Sequence, residues 1–300
     1  MVAAESRAVR YLRRARTWQP FNFVGTRLVR WVGRKTGARQ EWAVRHLHPV
    51  GPVTARLPNG RTLRLWSRGD DWVGNQVFWR GWRAHEAETA EVFFRIAERA
   101  VTTVDVGAYV GYFTLLAAHA NPAGRVLAIE ALPTVYERLV RNVRLNQLGN
   151  VQCVLAAAGA QQGNASFYHQ PHALPTSSSL SREFMVGADN LTGTRVSVVT
   201  VDDLLRECGI SRVDLVKIDT ESTEPDVLAG MAAALRRDRP TIVCEVLKDR
   251  GAEARLNELM RPLGYRYYLL TADGPVARDV IEGHPEWLNF LLVGRDADVP

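Results

Sequence analysis

From Val101 onward, short runs of apolar residues alternate with stretches in which apolar positions recur every three or four residues, so strands exchange with amphipathic helices. The pattern predicts strands at 103–106, 125–130, 151–158, 213–219 and 241–245. It predicts helices at 112–120, 134–146, 224–235 and 252–263. Two more strand-like runs, 265–270 and 287–293, follow with only a loop between them. Upstream, residues 53–57 and 61–66 alternate on either side of Pro58-Asn59-Gly60 and predict a hairpin. A helix is expected from about 85 to 99, with Ala90, Val92, Phe93 and Ala97 on its apolar face. The first 40 residues read as two short basic helical segments divided by Pro20. Tyr11, Leu12 and Trp18 mark the first apolar face, and Phe21, Val24, Leu28, Trp31 and Val32 the second. Three parts result: a basic helical segment at 1–40, an α+β lead-in at 41–100, and an α/β domain at 101–300.

The ending of the pattern narrows the fold class. A dinucleotide-binding fold would continue with another crossover helix, whereas a final antiparallel pair closing a parallel sheet is the layout of class I methyltransferases. The expected architecture is therefore a Rossmann-like sheet of seven strands with an antiparallel last strand, carrying a small N-terminal α+β extension.

Charge changes the picture only at one end. The formal net charge is +6, but residues 1–40 hold ten Lys/Arg against the single acid Glu5, a local +9 that leaves −3 for the remainder. A basic head on a slightly acidic body does not describe a nucleic-acid groove, so nucleic acid is not expected as a partner. The head faces either pack on the rest of the chain with their arginines solvated, or lie on an anionic membrane surface. No apolar run approaches the length of a spanning helix, and no signal-peptide pattern opens the chain. Cys153, Cys208 and Cys244 are widely separated and lack zinc or disulfide spacing. They read as reduced core thiols of a cytoplasmic protein, peripheral to the inner membrane face if the head binds lipid.

The strongest chemical signal is 104–111, Val-Asp-Val-Gly-Ala-Tyr-Val-Gly, at the first strand-to-helix junction. Gly107 and Gly111 let backbone approach a ligand. Their G-x-x-x-G spacing departs from the G-x-G-x-x-G that seats a pyrophosphate, and Asp105 would repel one. A carboxylate there suits the cationic methionyl end of S-adenosyl-L-methionine, with Ala108 and Tyr109 completing the loop. Glu130, ending the second strand, can accept from both hydroxyls of a ribose, with Ala131 beside it. Ala157, at the end of the third strand, leaves room for an adenine. Asp219 and Glu221 follow the fourth strand and Glu245 ends the fifth, all on the ligand-bearing edge. These three can orient an acceptor, serve as a general base or bind a divalent cation, and Asp219 also borders the cofactor. No metal ligand set is assigned. Glu224-Pro225 reads as a helix start. His169 and His172 are alternative bases. The stretch 163–193 reads as the longest irregular insertion, expected with the N-terminal segments to cover the acceptor.

On Asp105-Val-Gly-Ala-x-x-Gly111, Asn142-x-x-x-Asn146 before Asn150-Val151, Ser178-Ser179-Leu180, Thr200-Val-Asp-Asp-Leu204 and Lys217-Ile-Asp-x-Glu221, the chain resembles the FkbM family of methyltransferases over roughly 85–250. The resemblance implies O-methylation of a hydroxyl on a small acceptor: a sugar, glycolipid, polyketide or related secondary metabolite. Three positions depart from the family pattern: Tyr109 replaces a usual Asn, Ala131 a usual Pro, and Ser222 a usual Gly. Two other readings compete, an RNA methyltransferase that uses the basic head as a handle, and a catalytically silent cofactor-binding scaffold.

Overall fold

In a computed structural model, which describes residues 19–36, 41–170, 174, 178–181, 185 and 190–294, the chain separates into two units, Met1–His85 and Glu86–Pro300. The first unit contains helix α1 (Gln19–Thr36), helix α2 (Glu41–His46), strands β1 (Val50–Arg56) and β2 (Thr62–Arg68), and helix α3 (Trp72–Arg80). Pro20 lies at the start of α1. It sits in the first turn, where its missing N–H costs nothing. The head face from Ala8 to Trp18 lies outside the described residues.

The hairpin forms as expected, with Arg56 opposite Thr62. Its alternation buries Val53, Ala55, Leu63 and Leu65 and leaves Thr54, Arg56, Arg64 and Arg68 outside. Asp71 caps α3 by accepting from the amides of Val73 and Gly74. Seventeen Lys/Arg against four Asp/Glu give residues 1–85 a formal +13, and twenty-one against twenty-eight give 86–300 a formal −7.

The second unit opens with α4 (Ala87–Ala97) and β3 (Thr102–Val106). It continues through α5 (Tyr112–Ala120), β4 (Arg125–Glu130), α6 (Pro133–Leu145), β5 (Val151–Leu155), β6 (Ala157–Ala158), β7 (Gly163–His169), β8 (Ser178–Ser179) and β9 (Thr192–Val199). Then come α7 (Val201–Glu207), β10 (Leu215–Ile218), α8 (Glu224–Ala229), α9 (Ala232–Asp238), β11 (Thr241–Glu245), α10 (Glu253–Met260), β12 (Arg266–Thr271), β13 (Gly274–Arg278) and β14 (Asn289–Val293). The large sheet has the order β13-β12-β14-β11-β10-β3-β4-β5. Its five strands from β11 to β5 are parallel, and β14 runs antiparallel to both β11 and β12. This is the expected seven-strand Rossmann-like order with an antiparallel last strand. An eighth strand, β13, pairs antiparallel with β12 where only a loop was expected.

Burial explains the order. β3 and β14 are buried at every position, and β4 at all but its first, so strands covered on both faces occupy the interior. Val104, Val106, Val216, Ile218, Ile242 and Cys244 belong to one apolar cluster with residues of α7, α8, α9 and α10. Cys244 is the one core thiol of the three, since Cys153 and Cys208 are half-buried and all three are free.

Four boundaries differ from the sequence pattern. The strand expected at 151–158 breaks at Ala156. There β6 leaves the large sheet and pairs with β9 in a second sheet of order β6-β9-β7-β8. The stretch 163–193 is therefore not irregular throughout, because its ends, β7 and β9, form an antiparallel pair. The helix expected at 224–235 is two helices. At Gly230 any Cβ would collide with the carbonyl of Gly159, and the Asp202 carboxylate caps the restart at the amides of Ala233 and Ala234 (2.8 and 2.9 Å). The last predicted helix stops being α-helical at Met260 and finishes as a single 3₁₀ turn, Arg261–Leu263, around Pro262.

Candidate active site

The ends of β3 and β4 form a first corner. The amides of Gly107 and Ala108 both donate to the Ile129 carbonyl at 3.0 Å, which draws the glycine loop against the end of β4. Gly107 has φ +78, and a Cβ on it would strike the carbonyl oxygen of Asp219, so only glycine lets β3 and β10 end side by side. Tyr109 follows at φ +51, a conformation that Asn tolerates better than Tyr. Its amide donates to Glu130 Oε2 at 2.9 Å, while Glu130 Oε1 accepts from Leu132 N at 2.8 Å. Burial pushes the Glu130 carboxyl up to about 7, against those stabilising amides. Each of its oxygens still has a lone pair to offer a ribose hydroxyl. Asp105 is buried and accepts from Thr114 Oγ at 2.5 Å, and burial raises it to about 6. Gly111 caps α5, and the Asn142 side chain holds the Val110 carbonyl at 2.8 Å. Ala131 and Ala157 pack with Val196 in a small apolar cluster, with Leu180 against it.

The ends of β10 and β11 form a second corner with different electrostatics. Lys217 is fully buried and reaches Asp219 Oδ2 at 3.0 Å, Asn289 Oδ1 at 3.2 Å and Glu86 Oε2 at 3.9 Å. Burial opposes its charge, but Asp219, Glu86 and Glu245 together outweigh that and raise the pKa. Asn289 also donates to Glu86 at 2.9 Å. Beyond Asp219 the chain turns through Glu221 (φ +55) and Ser222 (φ +78), two consecutive left-handed residues without glycine. Glu224 Oε1 ties this turn together, accepting from Thr220 N, Thr220 Oγ and Ser222 N at 3.0 to 3.1 Å. Ser179 Oγ donates to the Glu221 carbonyl at 2.7 Å and docks the insertion on the same turn. Burial, with Asp219 and Glu224 nearby, lifts Glu221 to about 8. Burial likewise raises Glu224 to about 7, and raises Glu245 well above the carboxylate range. Glu245 Oε2 and Ser222 Oγ are buried without a hydrogen-bonding partner among the described residues. A cavity of about 350 Å³ lies against the turn, lined by Ser181, Ser222, Pro225, Arg250, Ala252 and Arg255. Among the described residues, no group of three His, Cys, Asp or Glu is arranged to hold a metal ion.

The two corners meet: Asp219 N donates to the Val106 carbonyl at 3.0 Å, and Lys217 is in register with Asp105. A model of the FkbM methyltransferase domain matches residues 105–267, which span both corners. The chain belongs to the FkbM methyltransferase family. It is 30% identical over 241 residues to 31-O-demethyl-FK506 methyltransferase FkbM of Streptomyces tacrolimicus, covering 71% of this chain and 88% of that one. It is 26% identical over 218 residues to methyltransferase sdnD of Sordaria araneosa, covering 64% and 80%. Among solved structures it is similar to methyltransferase FkbM from Methylobacillus flagellatus KT, with TM-score 0.44, 15% identity, and 76% and 56% of the two chains covered. As an FkbM-family chain it is a methyltransferase, and the family implies S-adenosyl-L-methionine as its cofactor.

In this FkbM-family site the predicted residues fall into two groups. Asp105, Gly107, Ala108, Tyr109, Gly111 and Glu130 share the first corner, while Asp219, Glu221 and Glu245 share the second. His169 ends β7 with its ring nitrogens 2.8 Å from the Gln170 carbonyl and Thr194 Oγ, so neither is left for base work. His172 lies outside the described residues. The sequence reading missed Glu86, Asn289, Ser179 and Thr114 as parts of the site and gave Lys217 no role. Only Ser179 and Lys217 carried a signal, because both belong to the motifs of the resemblance. The donor set fits the cofactor, since this edge is rich in carboxylates and its buried lysine is already paired, which suits a cationic sulfonium bearing a ribose diol.

Proposed function

We propose that this chain is an O-methyltransferase acting on a hydroxyl of a small-molecule acceptor such as a sugar, a polyketide or a related secondary metabolite. The observation that carries the reading is the second corner: Glu221, raised to about 8, sits in a strained turn two residues after Asp219, which is paired with Lys217, and its neighbour Ser222 lines a cavity. S-adenosyl-L-methionine supplies an electrophilic methyl group when bound. Glu130 would hold the ribose through its two remaining acceptor positions, and Asp105 would set a negative charge near the cationic end. Ala108, Ala131 and Ala157 would leave room for the adenine. Glu221 would take the proton from the acceptor hydroxyl, because a carboxyl near neutrality is a stronger base than an ordinary one. Asp219, fixed by Lys217, would orient the acceptor, with Glu245 behind both. Alignment alone can contribute about 7–11 kcal/mol, and a general base about 10²- to 10⁴-fold in rate.

Calorimetric titration with S-adenosyl-L-methionine and, separately, NAD, repeated on Asp105→Ala and Glu130→Ala, tests the cofactor corner. Selective binding of the methyl donor that both variants weaken is the expected result. Incubation of the wild type with labelled donor and a panel of hydroxylated acceptors then tests the reaction. Binding without turnover on any acceptor would move the silent scaffold forward, and salt-sensitive methylation of RNA would replace the small-molecule reading.

A further inference from the structure

Helix α1 is built inside out. Asn22, Thr26 and Gly33 are buried, and the Thr26 hydroxyl donates to the Asn22 carbonyl within the helix. Val24, Leu28, Trp31 and Val32, at i, i+4, i+7 and i+8, form one outward stripe exposed by 63%, 58%, 60% and 43%. Lys35 falls on the same stripe, with its ammonium 5.9 Å from the centre of the Trp31 ring. Arg27 and Arg30, which flank the stripe, turn away from it. Arg27 donates to the Val50 and Pro52 carbonyls at 3.3 and 3.0 Å, which satisfies part of the open edge of β1, and Arg30 lies 4.6 Å over the ring of Phe78. A helix that turns polar and small residues inward and four large apolar ones outward gains nothing from that face in water. Contiguous exposed apolar surface of this kind marks an interaction site.

We propose that the outward stripe of α1 seats this protein on an anionic lipid bilayer, with the helix lying in the plane of the interface. Charge selects the occupant. The 85 residues of this unit carry a formal +13, and Arg56, Arg64 and Arg68 line the exposed face of its hairpin. A second copy docking through the same stripe would bring +13 against +13, whereas an anionic surface attracts both the stripe and its surroundings. Nucleic acid would satisfy the arginines but leaves no place for Val24, Leu28 and Val32. None of the described helices is long and apolar enough to cross a membrane, so the mode is interfacial. Trp31 and Lys35 suit the headgroup level, the ring at the apolar boundary and the ammonium among the phosphates.

Co-sedimentation of the full chain with vesicles tests this, using phosphatidylcholine alone and phosphatidylcholine mixed with phosphatidylglycerol. The double variant Leu28→Ser/Trp31→Ser serves as the probe, because both side chains are exposed and every positive charge is kept. Its thermal midpoint and its affinity for S-adenosyl-L-methionine should match the wild type. The wild type is expected on the mixed vesicles and barely on the neutral ones, with partitioning of the variant reduced by about tenfold or more through lost apolar burial. Failure of the wild type to sediment with either vesicle overturns the proposal. Equal partitioning of wild type and variant also overturns it, by assigning the binding to charge alone. A wild-type dimer that the variant dissolves would assign the stripe to a second copy, and RNA binding that the variant weakens would assign it to nucleic acid.

Discussion

The two corners of the site are built on opposite principles. At the ends of β3 and β4, Glu130 receives one backbone amide on each oxygen and Asp105 receives a hydroxyl, so negative charge is held by fixed donors. At the ends of β10 and β11, Asp219, Glu221 and Glu245 crowd one another around the buried Lys217 ammonium, with Glu224 close to Asp219 and Glu221. Two non-glycine residues there adopt left-handed backbone, and two polar atoms are without partners among the described residues. The first is a satisfied binding surface. The second stores electrostatic and backbone tension, the pattern associated with reacting groups.

Removing the shared cation should break the contrast most severely. Lys217→Met leaves the half-buried Asp219 and Glu86 without their shared cation, and urea unfolding should show a loss of about 1–3 kcal/mol. A loss below 1 kcal/mol would mean that the acids simply protonate. Glu221→Gln keeps the volume of the side chain but removes the base. Steady-state turnover should fall by about 10²- to 10⁴-fold with donor affinity unchanged. The sign of its pH dependence follows from a carboxyl raised to about 8. It is protonated and idle below that value, so the wild-type rate should rise as pH passes upward through it, and the variant should lack that limb. Glu130→Gln reverses the picture: donor binding weakens by about tenfold to a hundredfold, as expected for losing charge-assisted hydrogen bonds, while turnover at saturating donor changes little. The smallest effect belongs to Ser222→Gly. Relief of a left-handed serine is partly offset by the freedom glycine gains when unfolded, so denaturation should show a net gain of about 0.5–1 kcal/mol. A loss of stability there would show that the freedom glycine gains when unfolded outweighs the relieved strain.

Much of this was legible along the chain, for local reasons. Strands β3, β4, β10 and β11 announce themselves as short apolar runs, and the glycine loop and strand-end acids lie within a few residues of them. The position of Ser222 was also readable, because it stands where the family pattern that the chain resembles has glycine, and its φ is +78. Distance along the chain hid the rest. The Lys217 ammonium is shared with Glu86 and Asn289, and those two are 203 positions apart, so no window of sequence contains the cluster. β7 and β9 pair across a gap rich in proline and serine, with weak alternation of their own. The break at Gly230 lies inside an unbroken apolar stripe, and only the approach of Gly159 from another element ends the helix there.

β13 has a consequence beyond the site. Without it, β12 would be the last rung of the large sheet on that side, its amides and carbonyls open to any extended chain drifting past. β13 takes those bonds and is itself a poor template: five residues, with Pro275 second and Arg278 last. The proline offers no amide, and a positive charge stands at the far end. The sheet thus finishes in a blunt selvedge that resists fraying and resists being sewn to another.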